Sequence, residues 1–452
     1  TNGRLTYFYT VNSDLKGEIP LSIGNLNELT YFYSYGNKFT GSIPDTVKNL
    51  TSLTSLAFEY SDLTGTIPES LSNLTSLTKL SLIGSQLSGT IPETISNLTN
   101  LTQLNLSWND FSGEIPSIIG TLSNLTSLDL SGNDLSGSIP LEISNLTMIE
   151  NLWLGDNDLS GDIPSGIGNM ANLKHVRLTN NNFSGDIPSW VFNITNLEVL
   201  ELNGNAFTGS IPSEISNLKN LEALELANNQ LTGSIPAEIG SMTNLKSLVS
   251  LMNNQLSGSI PPEIGNLTNL TYLNLYNNQL TGEIPPEIGN LTNLTHLMLW
   301  RNHFEGEIPS EIGNLSKLEE FWITNNSFTG EIPPEIGNLI NLERLTLGNN
   351  QLTGVIPSTI GNLVNLKSFG ASGNELTGSI PIEIGNLTQL HVLSLHDNHL
   401  TGPIPSTIGN LTNLGVWDSQ YYDIIMSGPG GMGMDYWPAL YLSNNQLSGP
   451  LP

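Results

Sequence analysis

Residues 270–293 read LTYLNLYNNQLTGEIPPEIGNLTN. Leu273 and Leu275 alternate with Tyr272, Asn274 and Tyr276, and this period of two predicts a short strand with its leucines turned inward. Asn278 follows where the chain must turn, and its amide is expected to bond backbone groups that water cannot reach. Gly282-Glu283-Ile284-Pro285 reads as an extended segment that proline ends. Pro286-Glu287-Ile288-Gly289-Asn290-Leu291 reads as a short helical turn, with Glu287 near its start, where negative charge suits the dipole.

Outward from this stretch the same unit recurs. The glycine of Gly-x-Ile-Pro stands at Gly17, Gly41, Gly65 and onward to Gly233 in steps of 24 residues. One step of 25 leads to Gly258, and the beat of 24 resumes to Gly402. One unit cannot bury its leucines alone, whereas stacked units bury a continuous core. The expectation is one α/β solenoid over residues 1–452, of about 19 coils, instead of the three globular domains that 452 residues would suggest.

The L-x-x-L-x-L-x-x-N-x-L-x-G-x-I-P unit resembles the plant-specific subtype of leucine-rich repeat found in receptor-kinase and receptor-like-protein ectodomains. The resemblance covers essentially the whole chain. It implies a right-handed superhelix with a concave parallel sheet, short 3-10 or helical turns on the convex side and a second strand layer from the Ile-Pro segment. It also implies a non-catalytic module at the cell surface or outside the cell that binds a peptide, protein or glycan. Such ectodomains usually carry cysteine-paired caps, and this sequence has no cysteine.

Composition narrows the function further. With 13 basic and 41 acidic residues the net charge is −28. Nucleic-acid binding needs a basic footprint and is excluded as an expectation; docking on anionic lipid is disfavoured. No run approaches the length of a membrane span, so no membrane insertion is expected. Without cysteine there is no disulfide framework, thiolate metal site or cysteine nucleophile. Of the six histidines, His175, His296, His303, His391, His396 and His399, the pair His396 and His399 flanks a turn with His391 one strand earlier, but isolated, solvated histidines are the expectation there over a metal site, and no Ser-His-Asp frame appears. No enzyme and no cofactor is expected.

The pattern breaks twice. One extra residue between Leu245 and Asn254 reads as a β-bulge or a tolerated insertion. Residues 415–438, GVWDSQYYDIIMSGPGGMGMDYWP, thread as one degenerate coil with Tyr422 and Pro429 at the asparagine and proline positions. This segment looks like a short version of the island that some plant receptors use in ligand binding; a decayed capping coil is the alternative.

Binding residues are sought between the inward leucines. The preferred patch is Tyr272, Tyr276, His296, Met298, Trp300, Arg301, Trp322 and Arg344, because aromatics and arginine dominate binding hot spots. A secondary patch is Tyr7, Tyr9, Tyr31, Tyr33, Tyr35 and Tyr60, and Trp108 and Trp153 lie between the two in sequence. Aromatic faces suit carbohydrate, and Arg301 and Arg344 suit an acidic peptide. Glu283, Glu307 and Glu331 recur one coil apart, as do Glu263, Glu287, Glu311 and Glu335, so salt or bridging cations should relieve their repulsion. Asn-x-Ser/Thr sequons recur at Asn73, Asn97, Asn145, Asn193, Asn266, Asn290, Asn314, Asn386 and Asn410. A second reading is a structural or adhesive surface protein, self-associating end to end or binding an ordered surface such as polysaccharide or ice through its Thr/Ser/Asn rows.

Overall fold

The computed structural model describes residues 4–248, 251–416 and 440–449. The chain divides into two compact units. The first holds Thr1–Thr208 and Asn217–Leu221; the second holds Gly209–Ser216 and Glu222–Pro452.

In the first unit the L-x-L segments form strands that pair in parallel, each with the equivalent strand of the next coil. They run from Tyr7–Val11, Tyr31–Tyr35 and Ser55–Glu59 to His175–Arg177 and Val199–Glu201. The second unit repeats the arrangement with Tyr272–Asn274, His296–Met298, Glu320–Trp322, Arg344–Thr346, Ser368–Gly370, Val392–Ser394 and Leu440–Tyr441. The register never slips: Leu273 pairs with Leu297, Leu297 with Phe321 and Phe321 with Leu345. A slip of one residue would turn every leucine to solvent, so burial of this row fixes the pairing. All four are fully buried.

A second strand layer is present, but it lies on the residues leading into the repeat glycine, as in Asp62–Gly65 and Gln279–Gly282, and not on the Ile-Pro segment that the resemblance implies; it makes a seven-stranded sheet in the first unit and a four-stranded sheet, Ser257–Gly258 to Ser327–Thr329, in the second. The turns after proline are 3-10, such as Pro286–Asn290 and Ser310–Asn314, and no regular α-helix occurs among the described residues. Two glycine positions explain why the unit tolerates little change. Gly306 has φ +77°, a backbone conformation that other residues rarely adopt. Gly289 lies so close to the next coil that a Cβ there would sit 2.6 Å from the carbonyl oxygen of Glu311.

The predicted asparagine role is met in detail. Asn302 is buried; its Nδ2 donates to the Leu275 and Leu299 carbonyls at 3.0 and 3.1 Å, and its Oδ1 accepts from the Leu280 N–H at 3.0 Å. Asn278, Asn326 and Asn350 repeat the bonding. Each amide therefore ties its own coil to the preceding one and satisfies carbonyls that the coil interior would otherwise leave bare.

Across the 25-residue coil, Ser247 pairs with Ala223 and with Tyr272, and Leu248 with Leu273. The normal spacing has returned by Asn254, which accepts from Leu231 N–H at 3.0 Å. Val249 and Ser250, where the proposed bulge falls, lie outside the described residues. So does nearly all of the irregular coil at 415–438, including Tyr422 and Pro429.

Candidate recognition surface

Side chains between the inward leucines stand on the open face of each sheet, in columns one strand spacing apart. In the second unit one column runs Tyr272, His296, Glu320, Arg344, Ser368, and the next Asn274, Met298, Trp322, Thr346, Gly370, Ser394. The register thus brings Tyr272, Tyr276, His296, Met298, Trp300 and Trp322 into one group.

Their packing differs from an open aromatic platform. Tyr276, Met298, Trp300 and Trp322 form a cluster in which each is less than a tenth exposed, with Met252 and Tyr272 packed against it. Tyr276 stacks on Trp300 at 4.4 Å between ring centroids, and Tyr272 on His296 at 4.9 Å. The physical reason is that large side chains on adjacent strands gain more by covering one another than by standing in water. The indole N–H groups of Trp300 and Trp322 are buried with no hydrogen-bond partner among the described residues. Burial, helped by the nearby charge of Glu320, pushes the Tyr272 phenol above its ordinary range.

The two arginines of this patch are placed differently. Arg301 has φ +54° at the sharp turn and lies over the Trp300 ring, 4.9 Å from its centroid. Arg344 pairs with Glu320, its register partner, and both are largely buried. The sequence reading missed Glu320 and Met252. The 24-residue register carried the signal for Glu320, one coil before Arg344; Met252 follows the 25-residue step, which shifts the count.

In the first unit the tyrosines stack along the coils. Tyr7 lies on Tyr31 at 4.4 Å and Tyr9 on Tyr33 at 5.3 Å, while Tyr35 meets Tyr60 edge to face at 5.2 Å. Tyr7 and Tyr9 remain more than half exposed. Trp108 is exposed too and lies against Gly132, where a Cβ would sit 2.8 Å from its ring. Trp153 is covered by Arg177, which pairs with Glu201 at 3.0 Å; burial raises the Glu201 carboxyl despite that partner.

The repeated threonines are not free. Thr30, Thr54, Thr78, Thr102 and Thr126 each donate a hydroxyl to the backbone carbonyl of the equivalent residue one coil back, at 2.9–3.1 Å. The asparagines of the predicted sequons, such as Asn73, Asn266 and Asn386, are exposed at the ends of the 3-10 turns. No helix among the described residues is long and apolar enough to cross a membrane.

Comparison with known proteins agrees with this geometry. Leucine-rich repeat profiles match residues 254–353, residues 171–231 and the single units 76–98, 100–122, 124–146, 148–170, 365–387 and 389–411. No curated protein matches the chain. Among solved structures, the plant peptide hormone receptor RGFR1 in complex with RGF2 is 36% identical, with a TM-score of 0.87 over 99% of this chain and 70% of that one. The ectodomain of the Arabidopsis receptor kinase HAESA, in complex with an extended IDA peptide hormone, is 32% identical, with a TM-score of 0.80 over 97% and 78%. A leucine-rich repeat protein of Leptospira interrogans is 34% identical, with a TM-score of 0.67 over 81% and 89%. The chain is a leucine-rich repeat solenoid of the non-catalytic recognition type, similar to the extracellular ectodomains of plant membrane receptors, and it belongs to the leucine-rich repeat family.

Proposed function

We propose that the chain is an extracellular recognition module that binds a peptide on the open face of its second unit, at the patch around Tyr272, His296, Trp300, Arg301 and Trp322. The observation that carries the reading is the gathering of Tyr272, His296 and Trp322 in adjacent columns of one sheet, with Trp300 packed into the same cluster and Arg301 lying over its ring. The cluster gives the face a fixed relief, and a rigid surface costs little entropy on binding. Tyr272, His296 and Arg301 are partly exposed at its edge and supply the first contacts. The neighbours favour a peptide over a glycan, since RGFR1 is complexed with RGF2 and HAESA with IDA.

The test is to pan the immobilised chain against a phage library of random twelve-residue peptides. Peptides selected on the wild type should bind the Tyr272→Ala/Arg301→Ala variant at least about tenfold more weakly. Equal affinity would remove the patch. Absence of any selected peptide would remove the peptide reading.

A further inference from the structure

C-terminal to the tryptophans the same face changes character. In one column of side chains Trp322 is followed by Thr346, Gly370 and Ser394, and then by Tyr441. Three small residues therefore lie between two rings. Gly348 continues the small floor beside them, and the residues lining this depression include none that is charged. At Gly370 an added Cβ would meet nothing within 4 Å. The space above the floor is open.

One buried polar group in the lining of this depression has no partner among the described residues. Ser394 lines it and is 2% exposed, and its hydroxyl has no hydrogen-bond partner among the described residues. The Trp322 indole N–H, outside the depression on the strand that pairs with Thr346, is also buried without a partner among the described residues. A buried polar group without a partner is destabilising, and such groups call for an explanation. A ligand amide is one.

We infer that the slot between Trp322 and Tyr441 takes a short run of extended peptide with small, uncharged side chains, its main chain bonding the Ser394 hydroxyl. This rests on the peptide reading above and names the part of the ligand that the slot selects. Four strand spacings of about 4.8 Å place Trp322 and Tyr441 about 19 Å apart along the sheet. Extended chain rises about 3.3 Å per residue, so the slot holds about five residues. Gly, Ala and Ser fit a floor of Thr346, Gly348 and Gly370. A charged side chain finds no partner on that floor and loses its hydration. Residues at either end of the run are apolar or aromatic and lie against the two rings.

The experiment uses the same random twelve-residue library on three forms of the chain: wild type, Gly370→Trp and Ser394→Ala. Gly370→Trp fills the slot without left-handed strain, and Ser394→Ala removes only the hydroxyl. Circular dichroism and thermal unfolding establish that both variants keep the wild-type fold. Peptides selected on the wild type should share about five small uncharged residues bracketed by apolar ones. Synthetic copies should bind Gly370→Trp at least about tenfold more weakly and Ser394→Ala about fivefold more weakly. Peptides that bind all three forms equally would overturn the slot and leave peptide recognition standing. If no peptide is selected on the wild type, while an oligosaccharide array binds it, the peptide reading fails and takes the slot with it.

Discussion

The Tyr33 hydroxyl donates to a carboxylate oxygen of Glu59 at 2.9 Å, across one coil of the first sheet. Glu59 is buried and accepts a second bond, from Ser81 Oγ at 2.6 Å. Burial, and then the bond to Glu59, push the Tyr33 phenol far above its ordinary range. The folded state therefore holds the Tyr33 proton more tightly than the unfolded chain. Its contribution is complete below the unfolded phenol pKa of about 10 and is lost as pH rises beyond that. Tyr33→Phe should cost about 1 kcal/mol at neutral pH. Urea unfolding of both proteins from pH 7 to 11 should give a constant gap that narrows above about pH 10. A gap independent of pH would show that the bond to Glu59 does not govern this tyrosine.

Arg344 and Glu320 are a second such relationship, with a different consequence. Removing the arginine alone leaves a buried carboxylate without its charge partner. Arg344→Met should therefore cost about 3–5 kcal/mol, and Glu320→Gln added to it should restore much of that loss. Double-mutant analysis of chemical denaturation reads both numbers. An additive pair would mean that the two charges do not depend on each other.

The glycines make a prediction of opposite signs. Gly289→Ala drives a Cβ into the Glu311 carbonyl of the next coil and should destabilise by about 1–3 kcal/mol. Gly370→Ala enters open space on a strand and should be neutral or stabilise by about 0.5 kcal/mol through the unfolded chain. Thermal unfolding of the two variants separates them directly.

Asn302 tests how the coils are held together. Asn302→Ala leaves the Leu275 carbonyl and the Leu280 N–H without the amide that bonds them and should cost about 2–3 kcal/mol. In a repeat array that loss is concentrated near its own interface. Hydrogen exchange should accelerate in the coils around 275–302 well before it changes near Leu104 or Leu376. Uniform acceleration along the chain would contradict a nearest-neighbour description.

Much of this was legible in the residues. The 24-residue beat of Gly17 to Gly233 placed the leucine-bearing strands of the first unit, and the alternation around Leu273 and Leu275 gave the inward row. Asn278, Asn302, Asn326 and Asn350 could be assigned their bonding because a sharp turn inside a stack has no other donor for those carbonyls. The register also put Tyr272 beside His296 and Met298 beside Trp322. The expectation that Arg344 meets an acidic ligand did not include the carboxylate that pairs with it, Glu320, which lies one coil before it on the preceding strand. The threonine rows were legible as rows, but their hydroxyls turn toward the backbone of the preceding coil.

The sequence by itself determined which residues are neighbours, since stacking identical units leaves one register that buries the leucines. Only the tertiary structure decided how far each neighbour leans over the next. Trp300 and Trp322 lie down over their cluster, Tyr7 and Tyr9 stay open, and Gly370 keeps the floor bare beyond Trp322. Those outcomes depend on side-chain rotamers, which are settled by the volume available on the adjoining strands and not by the repeat that brings the strands together.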